Sequence, residues 1–149
     1  MVRREVEATG ARYAYALRKR SVEAAPAWLR ARLGLAENTR VLHITCLHYA
    51  ESHPYQREDR WINLAALPQA EMADFTRSGP NEWLLATVPY TDAEISFSAQ
   101  GANADMARDL GCAVGDALFV AERMTAFQGQ PVTYVQLVHQ RGHQVRMRY

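Results

Sequence analysis

Apolar and polar positions alternate along most of this chain, and the period changes often enough to predict short strands separated by short helices. From Arg12 to Val22, Tyr13, Tyr15 and Leu17 alternate with Ala14, Ala16 and Arg18, the pattern of a half-buried strand. Pro26 fits a first helical turn, Trp28, Leu29, Ala31 and Leu33 form an apolar stripe, and Gly34 fits the C-terminal cap. The runs Val41 to Tyr49 and Tyr55 to Ile62 flank the turn Ala50-Glu51-Ser52-His53-Pro54 and read as a β-hairpin. Two short helical segments follow, Leu67 to Asp74 and Asn81 to Ala86, and then a strand from Ala93 to Ala99. Asn103 to Leu110 reads as a helix stopped by Gly111. Ala117 to Phe127 and Pro131 to His139 flank Gln128-Gly129-Gln130 as a second hairpin, and Gln144 to Tyr149 is expected to add an edge strand. The sum is an α+β domain on a mainly antiparallel sheet, residues 11–149, preceded by a linker or tail over residues 1–10.

Composition narrows this picture. A chain of 149 residues, 48% hydrophobic and 22% charged, suits one domain with a sizeable core. No apolar run approaches the ~20 residues that cross a bilayer, so no membrane partner is expected. The charged start, Met1 to Gly10, lacks the apolar stretch of a signal peptide, and a cytoplasmic location is expected. Cys46 and Cys112 stand outside any CxxC or Cys/His spacing and read as free thiols, and no metal or cofactor is expected. The 17 basic residues are balanced by 16 acidic ones, which argues against a DNA-binding surface within this chain. The basic clusters Arg3-Arg4 and Arg18-Lys19-Arg20 read as a solvated linker and strand end. Nothing resembles a helix-turn-helix, a P-loop or a GxGxxG turn.

Three stretches carry a family resemblance. They are the strand ending Leu47-His48-Tyr49 with the segment Glu58-Asp59-Arg60-Trp61-Ile62-Asn63, then Asp74-Phe75-Thr76 with Pro80-Asn81, and Val88-Pro89 running to Thr91 and Glu94. Together they resemble the UTRA domain, the effector-binding half of GntR-type bacterial transcription regulators, and within it the histidine-utilisation repressor branch. The resemblance spans about Arg12 to Arg148. It implies a chorismate-lyase-like fold, a six-stranded antiparallel sheet with helices on one side and a ligand pocket at its edge. The chain departs from that branch where Gln136 replaces an arginine, Met124-Thr125-Ala126 replaces Arg-Thr-Trp, and His139-Gln140-Arg141-Gly142 replaces a His-Pro-Gly turn.

The residues themselves point to the same region. Strand alternation puts Gln56, Glu58 and Arg60 on one face and Arg57, Asp59 and Trp61 on the other. A buried carboxylate costs several kcal/mol unless it is paired, so a pocket-facing Glu58 needs a partner or a ligand donor. Arg60 is the alternative partner, in a cross-strand ion pair on a solvated face. Cys46 and His48 share a face of the preceding strand, which places His48 beside Glu58. A helix starting near Ser78-Gly79-Pro80 offers free N–H groups at Asn81 and Glu82 to a carboxylate, making Ser78 and Asn81 candidates. Tyr134, Gln136 and Val138 share one face of their strand, and the resemblance implies that Tyr134 faces the pocket. Arg123 or Arg141 would replace the arginine missing at position 136.

The expected function is therefore effector sensing in a repressor. By resemblance the effector is urocanate or a related histidine-pathway metabolite, its imidazole held by Glu58 and His48, its plane by Tyr134 or Trp61, and its carboxylate by an arginine or the Ser78 helix start. The resemblance also implies a homodimer, with operator DNA bound only through a winged helix-turn-helix outside this chain. Enzymatic activity is not expected, because Cys46, His48 and Glu58 lack a nucleophile motif such as GxSxG. The alternatives are a stand-alone binding or dimerisation module and a chorismate-lyase-like enzyme.

Overall fold

The computed structural model describes residues 1–149. Six strands form one antiparallel sheet in the order β1-β2-β3-β6-β5-β4. They are β1 (Tyr13–Ala24), β2 (Arg40–Ala50), β3 (His53–Asn63), β4 (Asp92–Gly101), β5 (Ala117–Phe127) and β6 (Gln130–His139). Four short helices accompany them: α1 (Val2–Ala8), α2 (Ala27–Leu33), α3 (Pro80–Thr87) and α4 (Ala104–Leu110). The predicted hairpins β2–β3 and β5–β6 form as expected, and β3 and β6 join them in register from Gln56 opposite His139 to Ile62 opposite Thr133. Gly34 and Gly111 end α2 and α4 in the left-handed region, at φ 68° and 66°, where a residue without Cβ is least strained.

Helices lie on both faces of the sheet, not on one. On the first face, α2 places Leu29 on Val41, Trp61 and Tyr134, and α4 places Met106 and Leu110 on Leu118, Val120 and Val138. On the second face, Leu42, Ile44, Cys46 and Ile62 pack against Phe75 and against Leu84 of α3. The segment expected as a helix from Leu67 to Asp74 is a 3₁₀ turn over Pro68–Met72. Arg20 closes it by donating from Nη1 to the Ala73 carbonyl at 2.8 Å and from Nη2 to that of Glu71 at 2.5 Å. That basic residue of the strand end is therefore structural, satisfying carbonyls that a short helix leaves open.

Two terminal expectations change. Residues 1–10 are not a tail, since α1 buries Val6 completely and latches onto α3 through Arg3 Nε and Glu82 Oε1 at 3.0 Å. A single buried valine among charged residues carries no helical period that sequence alone could read. Beyond His139 the chain makes a turn and then continues without regular structure, so Gln144 to Tyr149 adds no strand. The sheet edges are β1 and β4, and all ten residues of β4 are exposed.

Candidate functional site

The second face of the sheet carries a cleft of about 200 Å³ between β3, β5 and β6 below and α1 and α3 above. Its floor holds Gln56, Glu58 and Arg60 from β3, with Arg123 and Thr125 from β5. Leu84, Leu85 and Val88 supply an apolar wall, and Met1 with Val2 and the Glu5 carboxylate of α1 supply another. The floor residues share a face because β3 alternates: Gln56, Glu58 and Arg60 are buried, while Arg57 and Asp59 are partly exposed on the other side.

Glu58 is the centre of a buried polar network. Its Oε2 accepts from Arg60 Nε at 2.7 Å and its Oε1 from His48 Nε2 at 2.8 Å, with all three residues no more than 2% exposed. A carboxylate only accepts, so His48 Nε2 carries the proton, and in the neutral ring Nδ1 accepts from the Tyr13 hydroxyl at 2.7 Å. Tyr15 packs on the same imidazole and donates its hydroxyl to the Phe75 carbonyl at 2.7 Å. Burial alone would raise the Glu58 pKa. The Arg60 charge and the hydrogen bond and charge of His48 outweigh it and hold the carboxyl at about 2. Cys46 lies beside this pair, its thiol pushed up by burial and by the Glu58 charge. The donor atoms of Cys46, His48 and Glu58 fall within 4.8 Å of one another. Both imidazole nitrogens and both Glu58 oxygens are already engaged, so the trio is a hydrogen-bonded support for the cleft floor and a poor metal cage.

Arg123 differs from its neighbours. Its protein hydrogen bond runs from Nη2 to Asn81 Oδ1 at 2.7 Å, its buried Nε has no partner, and no acidic side chain pairs with it. Burial and the nearby Arg60 charge together lower its pKa, so the guanidinium is held there at a cost. With Arg60 paired to Glu58, Arg123 is the guanidinium of the cleft that has no carboxylate in contact with it, although Glu5 lines the same cleft. Thr125 and Thr133, whose hydroxyls lie 2.5 Å apart, add polar groups to the same wall.

Of the residues predicted from sequence, Glu58, Arg60, Asn81 and Arg123 meet at the cleft, and His48 stands directly behind Glu58. Ser78 does not join them, since Gly79 is the cap of α3, no side chain caps that helix, and it is the Asn81 side chain that reaches the cleft. Tyr134 and Gln136 lie on the opposite face, because the register sets Tyr134 beside Trp61 and Gln136 beside Asp59. Tyr134 is packed there against Trp28 and Trp61, with ring centroids 5.4 and 5.8 Å away. Trp61 itself stacks on His43 at 4.2 Å, so neither ring is available to a ligand in the cleft. Arg141 is exposed at the far end, 3.6 Å from Asp116. Sequence reasoning missed Thr125, Thr133 and the α1 residues, whose roles depend on which strands and helices become neighbours.

A six-stranded antiparallel sheet carrying short helices is the fold of the UTRA domains of GntR-type transcription regulators. The model of the UTRA domain matches residues 8–143, and the chain belongs to that family. It is 31% identical over 135 residues to the histidine utilization repressor of Pseudomonas putida, covering 91% of this chain and 54% of that protein. The repressor of the same name from Klebsiella aerogenes is 29% identical over 106 residues, which is 71% of this chain and 44% of that one. The chain thus spans about half the length of these curated relatives. Among solved structures, the C-terminal domain of the histidine utilization repressor from Pseudomonas syringae pv. tomato superposes with a TM-score of 0.85 at 30% identity, over 93% of this chain and 99% of that one. The effector domain of PhnF from Mycobacterium smegmatis shares the fold alone, with a TM-score of 0.80 at 14% identity, over 94% of this chain and 88% of that one. The relatives are transcriptional repressors, and this chain is a regulator's effector-binding domain. No helix is long and apolar enough to cross a membrane.

Proposed function

We propose that the cleft senses a small carboxylate metabolite, urocanate or a closely related product of histidine breakdown, on behalf of a DNA-binding winged helix outside this chain. The Arg123 guanidinium, with its Nε unpartnered and no acid in contact, carries this reading. A half-buried guanidinium whose inner N–H has no acceptor is costly to hold, and a ligand carboxylate lowers that cost while gaining a charge-assisted hydrogen bond. The relatives' role in histidine utilisation favours an imidazole carboxylate over other small anions. The cleft, about 200 Å³, is smaller than the ~300–1,000 Å³ usual for drug-sized ligands, which fits a metabolite of this size. The Glu58 centre is a hydrogen-bonding support and not a reaction site, so sensing is favoured over lyase chemistry.

The test is the thermal unfolding of the whole chain with urocanate, histidine, imidazole propionate, formiminoglutamate or N-acetylglucosamine-6-phosphate. A ligand at about 100 times its Kd stabilises by about 2.7 kcal/mol, a rise of several degrees. A rise with urocanate and not with the sugar phosphate is expected. A rise with the sugar phosphate alone refutes the histidine-pathway assignment.

The second partner is another copy of this chain, joined through β4. That strand is an unbulged edge of ten exposed residues, including Ile95 and Phe97, whereas the β1 edge carries a bulge near Leu17 and the charges Arg18, Lys19 and Arg20. Antiparallel pairing about Phe97 sets Glu94 opposite Gln100 and Ile95 opposite Ala99, so no like charges face each other. Sedimentation equilibrium is expected to give a dimer that Phe97→Asp splits. A dimer that survives this substitution excludes β4 as the interface.

A further inference from the structure

We infer that the effector site has two compartments, and that the ring of the ligand sits not against Glu58 but in a second hollow walled by aromatic and imidazole rings. This rests on the reading of the cleft as the effector site, and it names the ligand class as a flat aromatic ring joined by a short chain to a carboxylate.

The second hollow, about 360 Å³, shares Glu5, Gln56, Arg123 and Leu137 with the first, so Arg123 stands at the junction. The inner compartment offers the Arg123 guanidinium, amide and hydroxyl groups and an aliphatic wall, with Glu58 already paired to Arg60 and Glu5 at the outer side it shares with the second hollow, which suits a carboxylate beside Arg123 and a short carbon chain. The outer one offers rings. Phe97 stacks on Phe119 at 5.6 Å and 23°, His139 stacks on His143 at 4.1 Å and 21°, and Phe119 bridges them at 5.7 Å from His143. Tyr55 stands edge-on to His143 at 5.6 Å and 87°. Phe97, on the β4 edge, extends this ring wall to the rim of the hollow.

Polar groups point the same way. Gln56, on the shared wall, makes a hydrogen bond of 3.0 Å between its Nε2 and His139 Nε2, while the buried Nδ1 of His139 has no partner within hydrogen-bond geometry. Burial and the neighbouring His143 push the His139 pKa down to about 4, and burial lowers that of His143 as well, which favours the uncharged rings in this stack. The Glu58 side offers a ring much less, since both carboxylate oxygens already accept from buried donors. Offset or edge-on contacts with such a wall favour any flat ring, imidazole or phenyl.

The experiment is an NMR titration of the whole chain with trans-urocanate and, separately, with trans-cinnamate. Ring protons of the ligand are expected to show NOEs to Phe97 and Phe119. Phe119→Ala and His143→Ala, both at half-buried positions away from the β4 edge, are each expected to weaken binding up to about tenfold. Ring NOEs to the Leu84 and Val132 methyls, with affinity unchanged in both variants, would overturn the second compartment and leave the effector reading standing. Cinnamate bound with the expected contacts, while urocanate fails to bind, upholds the compartment and overturns the imidazole ligand. Binding of neither overturns both.

Discussion

Glu58→Ala lowers the stability of this domain by about 3–5 kcal/mol, because it leaves a buried guanidinium without its counter-charge. Arg60 is 1% exposed and has Glu58 as its ion-pair partner, and His48, 2% exposed, donates to the other carboxylate oxygen. The substitution therefore does not separate ligand binding from folding, and a loss of effector affinity in this variant would report unfolding as much as contact. Glu58→Gln keeps an oxygen for one donor and is expected to cost less. Urea unfolding at pH 7 checks the order, and a Glu58→Ala protein as stable as the parent would refute the network's role. The pH dependence has a definite sign. Glu58 is held at about 2, below the ordinary glutamate value of 4.5, so its contribution is present above 4.5 and is lost as pH falls toward 2. His139, lowered from 6.5 to about 4, adds an earlier limb, since the unfolded chain takes up that proton first and stability falls as pH drops from 6.5 to 4. In Glu58→Gln only the lower limb should shrink.

Arg123→Gln is expected to act in the opposite direction on the empty protein. Its guanidinium has one hydrogen bond, to Asn81, and no acid, so removing the charge leaves stability unchanged or slightly raised. Effector affinity should fall by about 2–5 kcal/mol, the usual cost of truncating one side of a buried charge pair. Calorimetry with urocanate reads the second effect and thermal unfolding the first. A variant that binds normally removes Arg123 from the site, and with it the argument for a carboxylate ligand.

Strand alternation was enough to place Gln56, Glu58 and Arg60 on one face, and it also grouped Tyr134 with Gln136. It gave no means of deciding which of these groups face each other. That depends on the β3–β6 register, which sets Trp61 against Tyr134 and so turns Tyr134 away from the cleft. A shift of one residue would have exchanged the faces, and no local pattern encodes it. The choice between Arg123 and Arg141 is open for the same reason: only tertiary neighbours distinguish a half-buried cation beside Asn81 from an exposed one near Asp116. The rings of Phe119, His139 and His143 come from β5, β6 and the turn after it, and their stacking belongs to the fold and not to any motif.

The helix α1 gives a practical consequence. The family match begins at residue 8, after most of this helix, yet Val6 is fully buried and Met1, Val2 and Glu5 form part of the cleft wall. A version trimmed to residues 8–143 would keep all six strands and pass for the intact domain by circular dichroism of its sheet. It would nevertheless present an unroofed cleft, and a weak or absent ligand response from such a protein would describe the trimming and not the sensor.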